Sequence, residues 1–134
     1  MMPAVTDSPT RRRRYWRDYR TRAGGRPVKA FFDGLEDEEV AAIVAGMKEV
    51  AREGLRAARH LRGDVYEVRA NAENRSFRLL FSAEGRFGKV LLSLSAFEKR
   101  TQKTPRSEIE LAATRLRDWR ARGLERRGAA KSKG

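Results

Sequence analysis

The chain has 134 residues, of which 40% are hydrophobic, and it contains no cysteine. This length is typical of one domain with a single core. The lack of cysteine excludes disulfide bonds and thiolate metal sites, which suits a reducing cytoplasm. No apolar run approaches the ~20 residues of a membrane helix, and the first ten residues lack the apolar centre of a secretory signal. We therefore expect a cytoplasmic protein without metal, cofactor or membrane contact.

The net charge is strongly positive, because 31 lysines and arginines against 18 acidic residues give +13. Three segments hold most of the excess: residues 1–22 (seven cations, two acids), 69–106 (nine and three) and 115–134 (eight and two). Such patches indicate a polyanion or an acidic protein as the binding partner. For the two ends of the chain, the alternative is a pair of solubilising tails.

In chain order, residues 1–12 are small, polar and proline-containing, and we predict a disordered arm. Residues 14–22 alternate around aromatic side chains and predict a first strand. Apolar residues at helical spacing then predict a short helix that begins near Pro27 and a longer one over residues 36–52. Gly54 is expected to end the second helix.

The pattern then changes to period two, which predicts three strands at residues 65–70, 75–82 and 89–97. Thr104 and Pro105 introduce a final helix, after which residues 122–134 form a basic flexible tail. The predicted order is β-α-α-β-β-β-α. We therefore predict one α+β domain over residues 13–121, with its helices packed on one face of a mainly antiparallel sheet.

The turn between the first two of these strands sets the register of two arginines. A two-residue turn at Glu73 and Asn74 keeps the apolar residues of both strands on one face, since a slip of one residue turns a strand over. That register places Arg69 directly opposite Arg78, on the other face with Glu67. Like charges in opposite positions are destabilising by up to ~1 kcal/mol. The pair therefore indicates a bound anion, and a salt-bridged solvated face is the alternative.

The third strand is predicted to extend this face and to lead into a cationic segment. On the strand, the face continues through Ser93, Ser95 and Phe97. At or before the start of the final helix lie Lys99, Arg100, Lys103 and Arg106. Cations there oppose the helix dipole by ~0.3–1 kcal/mol each, whereas a helix N-terminus with added cations suits phosphate. The segment therefore predicts a phosphate-binding site.

Three stretches carry a family resemblance: Tyr66–Arg69, Phe77–Phe81 and, most specifically, Phe97–Pro105. The last is similar to the pattern Phe-x-Lys-Lys-Thr-x-Lys-Thr-Pro, which is typical of the phage-derived HigB-like branch of the RelE/ParE toxins. Gly25–Leu35 also resembles the opening of that family. The resemblance covers about residues 14–121 and implies the small RelE-like fold.

The resemblance implies a toxin of a type II toxin–antitoxin system that cleaves mRNA on the ribosome and so inhibits translation. Its partner would be a cognate antitoxin, expected to be an acidic helix-turn-helix protein. The implied chemistry is attack of a ribose 2′-hydroxyl on its own 3′-phosphate, without metal or cofactor. The implied catalytic residues are Arg78, Lys99 and Glu67. The implied RNA-binding residues are Arg69, Arg100, Lys103 and Arg106.

The general base of this reaction is left open by a departure from the family pattern. Many relatives have His-Gly before the motif phenylalanine, where this chain has Ser95 and Ala96. The sole histidine, His60, is predicted to be structural or solvent-facing, which leaves Glu67 or a neutral Lys99 as the base.

Two other functions also stay open. One is a ParE-like toxin that binds DNA gyrase without catalysis, and the other is a general basic nucleic-acid-binding domain.

Overall fold

The computed structural model describes residues 13–133, with side chains described through residue 128. Its elements are β1 (Tyr15–Asp18), α1 (Pro27–Asp33), α2 (Asp37–Glu53), β2 (Arg59–Arg62), β3 (Val65–Ala72), β4 (Arg75–Glu84), β5 (Val90–Lys99) and α3 (Arg106–Lys133). The predicted α+β fold is confirmed, with the short strand β2 as an addition to the predicted order. The predicted arm, residues 1–12, lies outside the described residues. Helix α3 runs into the predicted tail, and the domain limits stay a prediction.

The second helix begins and ends where the sequence indicates. Glu36 and Glu39 form a reciprocal capping box at its start, where the side chain of each accepts a hydrogen bond from the backbone of the other. At its end, Gly54 has a φ of +84°, a conformation that favours glycine. Helix α2 therefore has definite limits, and the chain turns sharply into the sheet.

The sheet has five strands in the order β1-β5-β4-β3-β2, with β1 parallel to β5 and the other neighbours antiparallel. Ala72 lies opposite Arg75, so the turn consists of the two residues predicted, Glu73 and Asn74. Arg69 consequently lies directly opposite Arg78, as predicted.

Helices cover both faces of this sheet, so the prediction that they pack on one face was wrong. Helices α1 and α2 lie on one side, over Val28, Ile43, Val50, Val68, Phe77, Leu79, Phe81 and Leu91. Helix α3 lies on the other side, over Tyr19, Val65, Leu80, Leu92, Leu94, Phe97, Ala112 and Leu116. The reason is that the strands carry apolar residues on both surfaces, and each apolar surface needs a helix to exclude water. We call the second surface the α3 face.

A β-bulge changes which residues of β5 belong to the α3 face. Leu80 lies opposite Ser95 and Phe81 lies opposite Ser93, so Leu94 is an extra residue in β5. Bulges interrupt the strict alternation of a strand. The predicted alternation is therefore right for Ser95 and Phe97 and wrong for Ser93, which lies opposite Phe81 on the α1/α2 side. The carbonyl of Leu94 accepts a hydrogen bond of 2.7 Å from Arg115 of α3.

Polar contacts fix α3 on the sheet. The Tyr19 hydroxyl donates a hydrogen bond of 2.6 Å to Asp118. Arg120 binds both carboxylate oxygens of Glu84, at 2.9 and 2.8 Å, and also binds Asp64 at 2.9 Å. These contacts therefore fix the middle of α3, around residues 118–120, against the sheet. Within the described part of the chain, no helix has the length and apolar character needed to cross a membrane.

Candidate active site

The strand register arranges the charged residues of the α3 face in rows. One row is Glu67, Leu80 and Ser95; the next is Arg69, Arg78 and Phe97; the third is Asn71, Ser76 and Lys99. Opposite residues of neighbouring strands lie ~5 Å apart, and diagonal neighbours lie ~7–8 Å apart. Glu67, Arg69, Arg78 and Lys99 therefore form one group, which we call the sheet site.

Glu67 is the centre of the sheet site. Its side chain is fully buried, and its Oε1 accepts a hydrogen bond of 3.3 Å from Arg69 Nε. The Nε of Arg78 lies 3.8 Å from the same oxygen, beyond hydrogen-bond distance. Two guanidinium groups therefore share one carboxylate, which leaves one positive charge uncompensated.

Arg78 is the most enclosed cation of this group. Its side chain is only 10% exposed, whereas that of Arg69, directly opposite, is 47% exposed. The residue does point away from Phe77, but α3 and the segment before it cover the face on which it lies. Its Nη1 donates to the Phe77 carbonyl at 2.8 Å, and its Nε has no hydrogen-bond partner among the described residues. A buried, unpartnered N–H is unfavourable by about 1–3 kcal/mol.

The segment that leads into α3 is tied to this group through Thr104. Its hydroxyl donates a hydrogen bond to Glu67 Oε2, so both oxygens of the buried carboxylate have a partner. The sequence identified Thr104 as a residue of the family motif and of the helix start, but not as a contact of the site. A partner 37 positions away leaves no signal in local spacing.

The remaining predicted cations lie around the rim of the sheet site. Lys99 donates to the carbonyl of Gln102 in its own loop, and Arg100 pairs with Glu98 at 3.0 Å. Arg106 pairs with Glu110 along the exposed side of α3, at 3.3 Å. The Lys103 amino group is exposed and forms no ion pair with a described residue. The structure thus brings Lys99 next to Arg78 and places Arg100, Lys103 and Arg106 further out.

Neither Ser95 nor His60 is presented at the surface of this site. Ser95 is 3% exposed and donates a hydrogen bond of 3.0 Å to Glu108 in the first turn of α3. His60 lies opposite Tyr66, its ring packs on that of Tyr66, and its Nε2 lies 2.7 Å from the Gly63 carbonyl oxygen. The prediction that His60 is structural or solvent-facing is therefore confirmed.

A cleft of about 390 Å³ opens beside the sheet site, at the free part of the β3 edge. Its lining includes Glu67, Arg69, Arg56 and Arg59. Arg59 lies opposite Glu67 in the β2–β3 pair and is exposed, so it adds a further cation to the row of Glu67. Arg59 was not predicted as a site residue, because the four residues of β2 are too few to show a periodic pattern.

Comparison with known proteins points to one family. The sequence profile described as "Phage derived protein Gp49-like (DUF891)" matches residues 30–117, a range that includes the whole sheet site and Thr104. Two similar proteins come from Mycobacterium tuberculosis, strains CDC 1551 / Oshkosh and ATCC 25618 / H37Rv, and each is named "Probable endoribonuclease HigB1". Each is 38% identical to this chain over 108 residues, which cover 78% of this chain and 84% of the relative.

Proposed function

The chain belongs to the Gp49-like family of phage-derived proteins, and from that premise we propose that it is the toxin of a type II toxin–antitoxin system and acts as an endoribonuclease. The similarity to relatives named as endoribonucleases supports the activity. The observation that carries the proposal is the buried Nε of Arg78, which lacks a partner beside a carboxylate already shared with Arg69.

The charge balance of the sheet site suits a phosphodiester. A phosphate beside Arg78 would neutralise the excess charge and accept hydrogen bonds from the guanidinium group. Two opposite charges at 4 Å attract by about 4 kcal/mol at an effective dielectric constant of 20, compared with about 1 kcal/mol in water. The enclosed position of Arg78 therefore strengthens its attraction for phosphate.

The proposed reaction is an intramolecular transesterification of the RNA backbone. The ribose 2′-oxygen bonds to the adjacent phosphorus while its proton passes to a base, and the bond from phosphorus to the 5′-oxygen of the next nucleotide breaks as that oxygen gains a proton. The products are a 2′,3′-cyclic phosphate and a 5′-hydroxyl. Negative charge builds up on the pentacovalent phosphorane, where Arg78 and Lys99 stabilise it. The proposal requires no metal and no cofactor.

We assign Glu67 a positioning role within this site. The family resemblance implies that Glu67 is a catalytic residue, with general base as one possible role. Its two oxygens are occupied by Arg69 and Thr104, and it would have to exchange one of them to accept the 2′-hydroxyl proton. In the role proposed, Glu67 orients Arg69 and Arg78 toward the phosphate.

The cations around the rim are proposed to hold the flanking RNA. Phosphates on either side of the scissile bond would contact Arg69 of the sheet site and the rim cations Arg100, Lys103 and Arg106, with mRNA on the cytoplasmic ribosome as the substrate. The net charge of +13 also suits an acidic antitoxin, for which we propose a helix-turn-helix protein. Association with it would slow as ionic strength rises.

The test compares Lys99, the last residue of β5, with Lys103 of the loop that follows it. Lys99→Ala should lower the cleavage rate by about 100-fold or more with a modest loss of ribosome affinity, because Lys99 acts on the transition state. Lys103→Ala should mainly weaken binding and reduce its salt dependence. The measurements are primer extension on a translated message and filter binding to ribosomes over a salt series. The two substitutions remove the same charge, so each is the control for the other.

Equal losses of affinity at both positions, with no new RNA ends produced by the wild-type protein, would contradict the nuclease. That result would favour a gyrase-binding toxin or a general nucleic-acid-binding domain.

A further inference from the structure

The two basic ends of the described chain meet on the side of the molecule formed by β1 and α3. Arg22 binds both carboxylate oxygens of Glu125, at 3.3 and 2.6 Å. Arg122 donates a hydrogen bond to the carbonyl of Arg20. These contacts join residues more than 100 positions apart. Two segments that are both rich in arginine are therefore brought together despite their like charge.

Between these segments lies an open groove of about 520 Å³, which we call the β1/α3 groove. Its lining is Trp16, Arg17, Asp18, Arg20, Arg26, Trp119, Arg122 and Arg126. Five of these eight residues are arginines and one is an acid, so the lining carries a formal charge of +4. The groove is thus a concentrated cationic surface.

The acidic residues near the groove are already bound. Asp18 pairs with Arg26 at 3.0 Å, and Asp118 pairs with Arg122 at 2.8 Å. By contrast, the side chains of Arg17, Arg20 and Arg126 are exposed and form no ion pair within the part of the chain that the structure describes. Three guanidinium groups on one surface are therefore available to an external anion.

The β1/α3 groove is distant from the sheet site. Strand β1 is at one edge of the sheet and β3 is three strands away, a separation of about 14 Å at ~4.8 Å per strand. Trp119 lies 13 residues along α3 from Arg106, which is about 20 Å at 1.5 Å per residue. The two places are therefore too far apart for one phosphate group to contact both.

We propose that the β1/α3 groove binds the phosphate backbone of RNA at a second point, away from the sheet site. The composition of the groove favours RNA over an acidic protein. The centres of protein–protein interfaces are depleted in charged residues, whereas nucleic-acid interfaces are polar and strongly positive. The planar guanidinium also matches phosphate oxygens through paired hydrogen bonds.

This second contact is separate from the proposed nuclease activity. It attaches the protein to folded RNA while the sheet site engages another strand. Two linked contacts raise overall affinity because the second forms within one complex. The groove would bind RNA even if the sheet site did not cleave it.

The test uses the full-length protein with Arg17, Arg20 and Arg126 all changed to alanine. The control changes Arg52, Arg62 and Arg86, which are exposed, carry the same charge and lie outside the groove and the sheet site. Filter binding to a 20-base-pair RNA hairpin and to purified ribosomes is measured over a salt series. Each lost phosphate contact lowers the slope of log K against log salt by about 0.9, so we expect a decrease of about 2–3 for the groove variant.

The groove variant should also bind about tenfold more weakly, while cleavage at saturating protein stays within about twofold of wild type. Thermal unfolding of each variant confirms that it is folded, and the single change Arg20→Ala should show a smaller effect in the same direction.

An equal loss in the control variant would show that bulk charge is responsible and would overturn the proposal. If the groove variant bound RNA as wild type does but no longer bound a co-expressed acidic antitoxin, the proposal would be overturned in favour of a protein partner. Failure of cleavage in wild type contradicts only the nuclease.

Discussion

Two charged clusters lie on the α3 face, toward opposite ends of β4, and they differ in charge balance. In the sheet site, Glu67 stands between two arginines, and Arg78 keeps a buried nitrogen without a partner. In the second cluster, Arg120 stands between two carboxylates, those of Glu84 and Asp64, with three hydrogen bonds of 2.8–2.9 Å. One cluster has an excess of cations and the other an excess of acids.

The difference separates an anion site from a structural clamp. A bidentate arginine–carboxylate pair satisfies both groups and fixes one helix position, as Arg120 does for α3. Ser82 adds a hydrogen bond of 2.5 Å to the same Glu84 carboxylate. The sheet site has the opposite arrangement, because its single carboxylate cannot satisfy both arginines. Burial of an arginine is thus insufficient to assign a role; the number and geometry of its partners decide it.

The largest effect is expected from Arg78. Arg78→Ala should lower RNA cleavage by about 100-fold or more, because a cation enclosed beside the phosphate is removed. It should also lower the free energy of unfolding by about 1–3 kcal/mol, since Arg78 is buried and bonded to the Phe77 carbonyl. Primer extension and urea unfolding measure the two effects.

Arg78→Lys is the matched control, because it keeps the charge but loses the planar set of donors. We expect a folded protein with cleavage well below wild type. If the Arg78→Ala variant cleaved RNA at the wild-type rate, Arg78 would not belong to the site. The proposed difference in role between Arg78 and Arg120 would then be wrong.

The second prediction concerns Arg120, the cation of the other cluster. Arg120→Ala should lower the free energy of unfolding by about 2–3 kcal/mol, because Glu84 is left buried without its cation. This is below the range for fully buried pairs, since the Arg120 side chain is 45% exposed. Cleavage per folded molecule should be unchanged. The control is Arg117→Ala on the exposed side of α3, expected to change stability by less than about 0.5 kcal/mol.

A folded Arg120→Ala protein that has lost cleavage would mean that the clamp takes part in the reaction. The two clusters would then belong to one site.

The smallest effect concerns the contact of β1 with α3. The hydrogen bond from Tyr19, followed by the charge of Arg122, holds the pKa of Asp118 below its ordinary value of 3.8. A lowered folded-state pKa contributes stability above the unfolded pKa, and this contribution is lost as pH falls through the folded value. Wild-type stability should therefore fall on acidification below about pH 4. Tyr19→Phe should remove part of this dependence and lower the stability at neutral pH.

The measurement is denaturant unfolding at pH 7 and pH 3, with Tyr15→Phe as a control at an exposed tyrosine. If stability fell by the same amount from pH 7 to pH 3 in wild type and in Tyr19→Phe, this role of Tyr19 would be contradicted.

The parts of the fold and site that depend on local spacing were predictable from the sequence. Period-two alternation and a two-residue turn determine that Arg69 faces Arg78, because no long-range contact is needed to set that register. The bulge at Leu94 was not predictable, because both Leu92 and Leu94 fit regular alternation. Leu80 is two positions from Arg78 in β4 and so lies on the same face. An apolar residue on that face indicates that the face is covered, but this indication was not used in the prediction. The element that covers Leu80 is α3.

The parallel pairing of β1 with β5 has a consequence for the order of folding. Tyr15 pairs with Val90, 75 residues later, whereas β3 and β4 are joined by a two-residue turn. Because loop-closure entropy grows with the logarithm of length, the β1–β5 contact is more costly to close by about 3 kcal/mol. We expect the β3–β4 hairpin to form early and β1 to join late. Lys99 is the last residue of β5, and Thr104 and α3 follow it, so a growing polypeptide can complete both of its cationic surfaces only after all five strands have been synthesised.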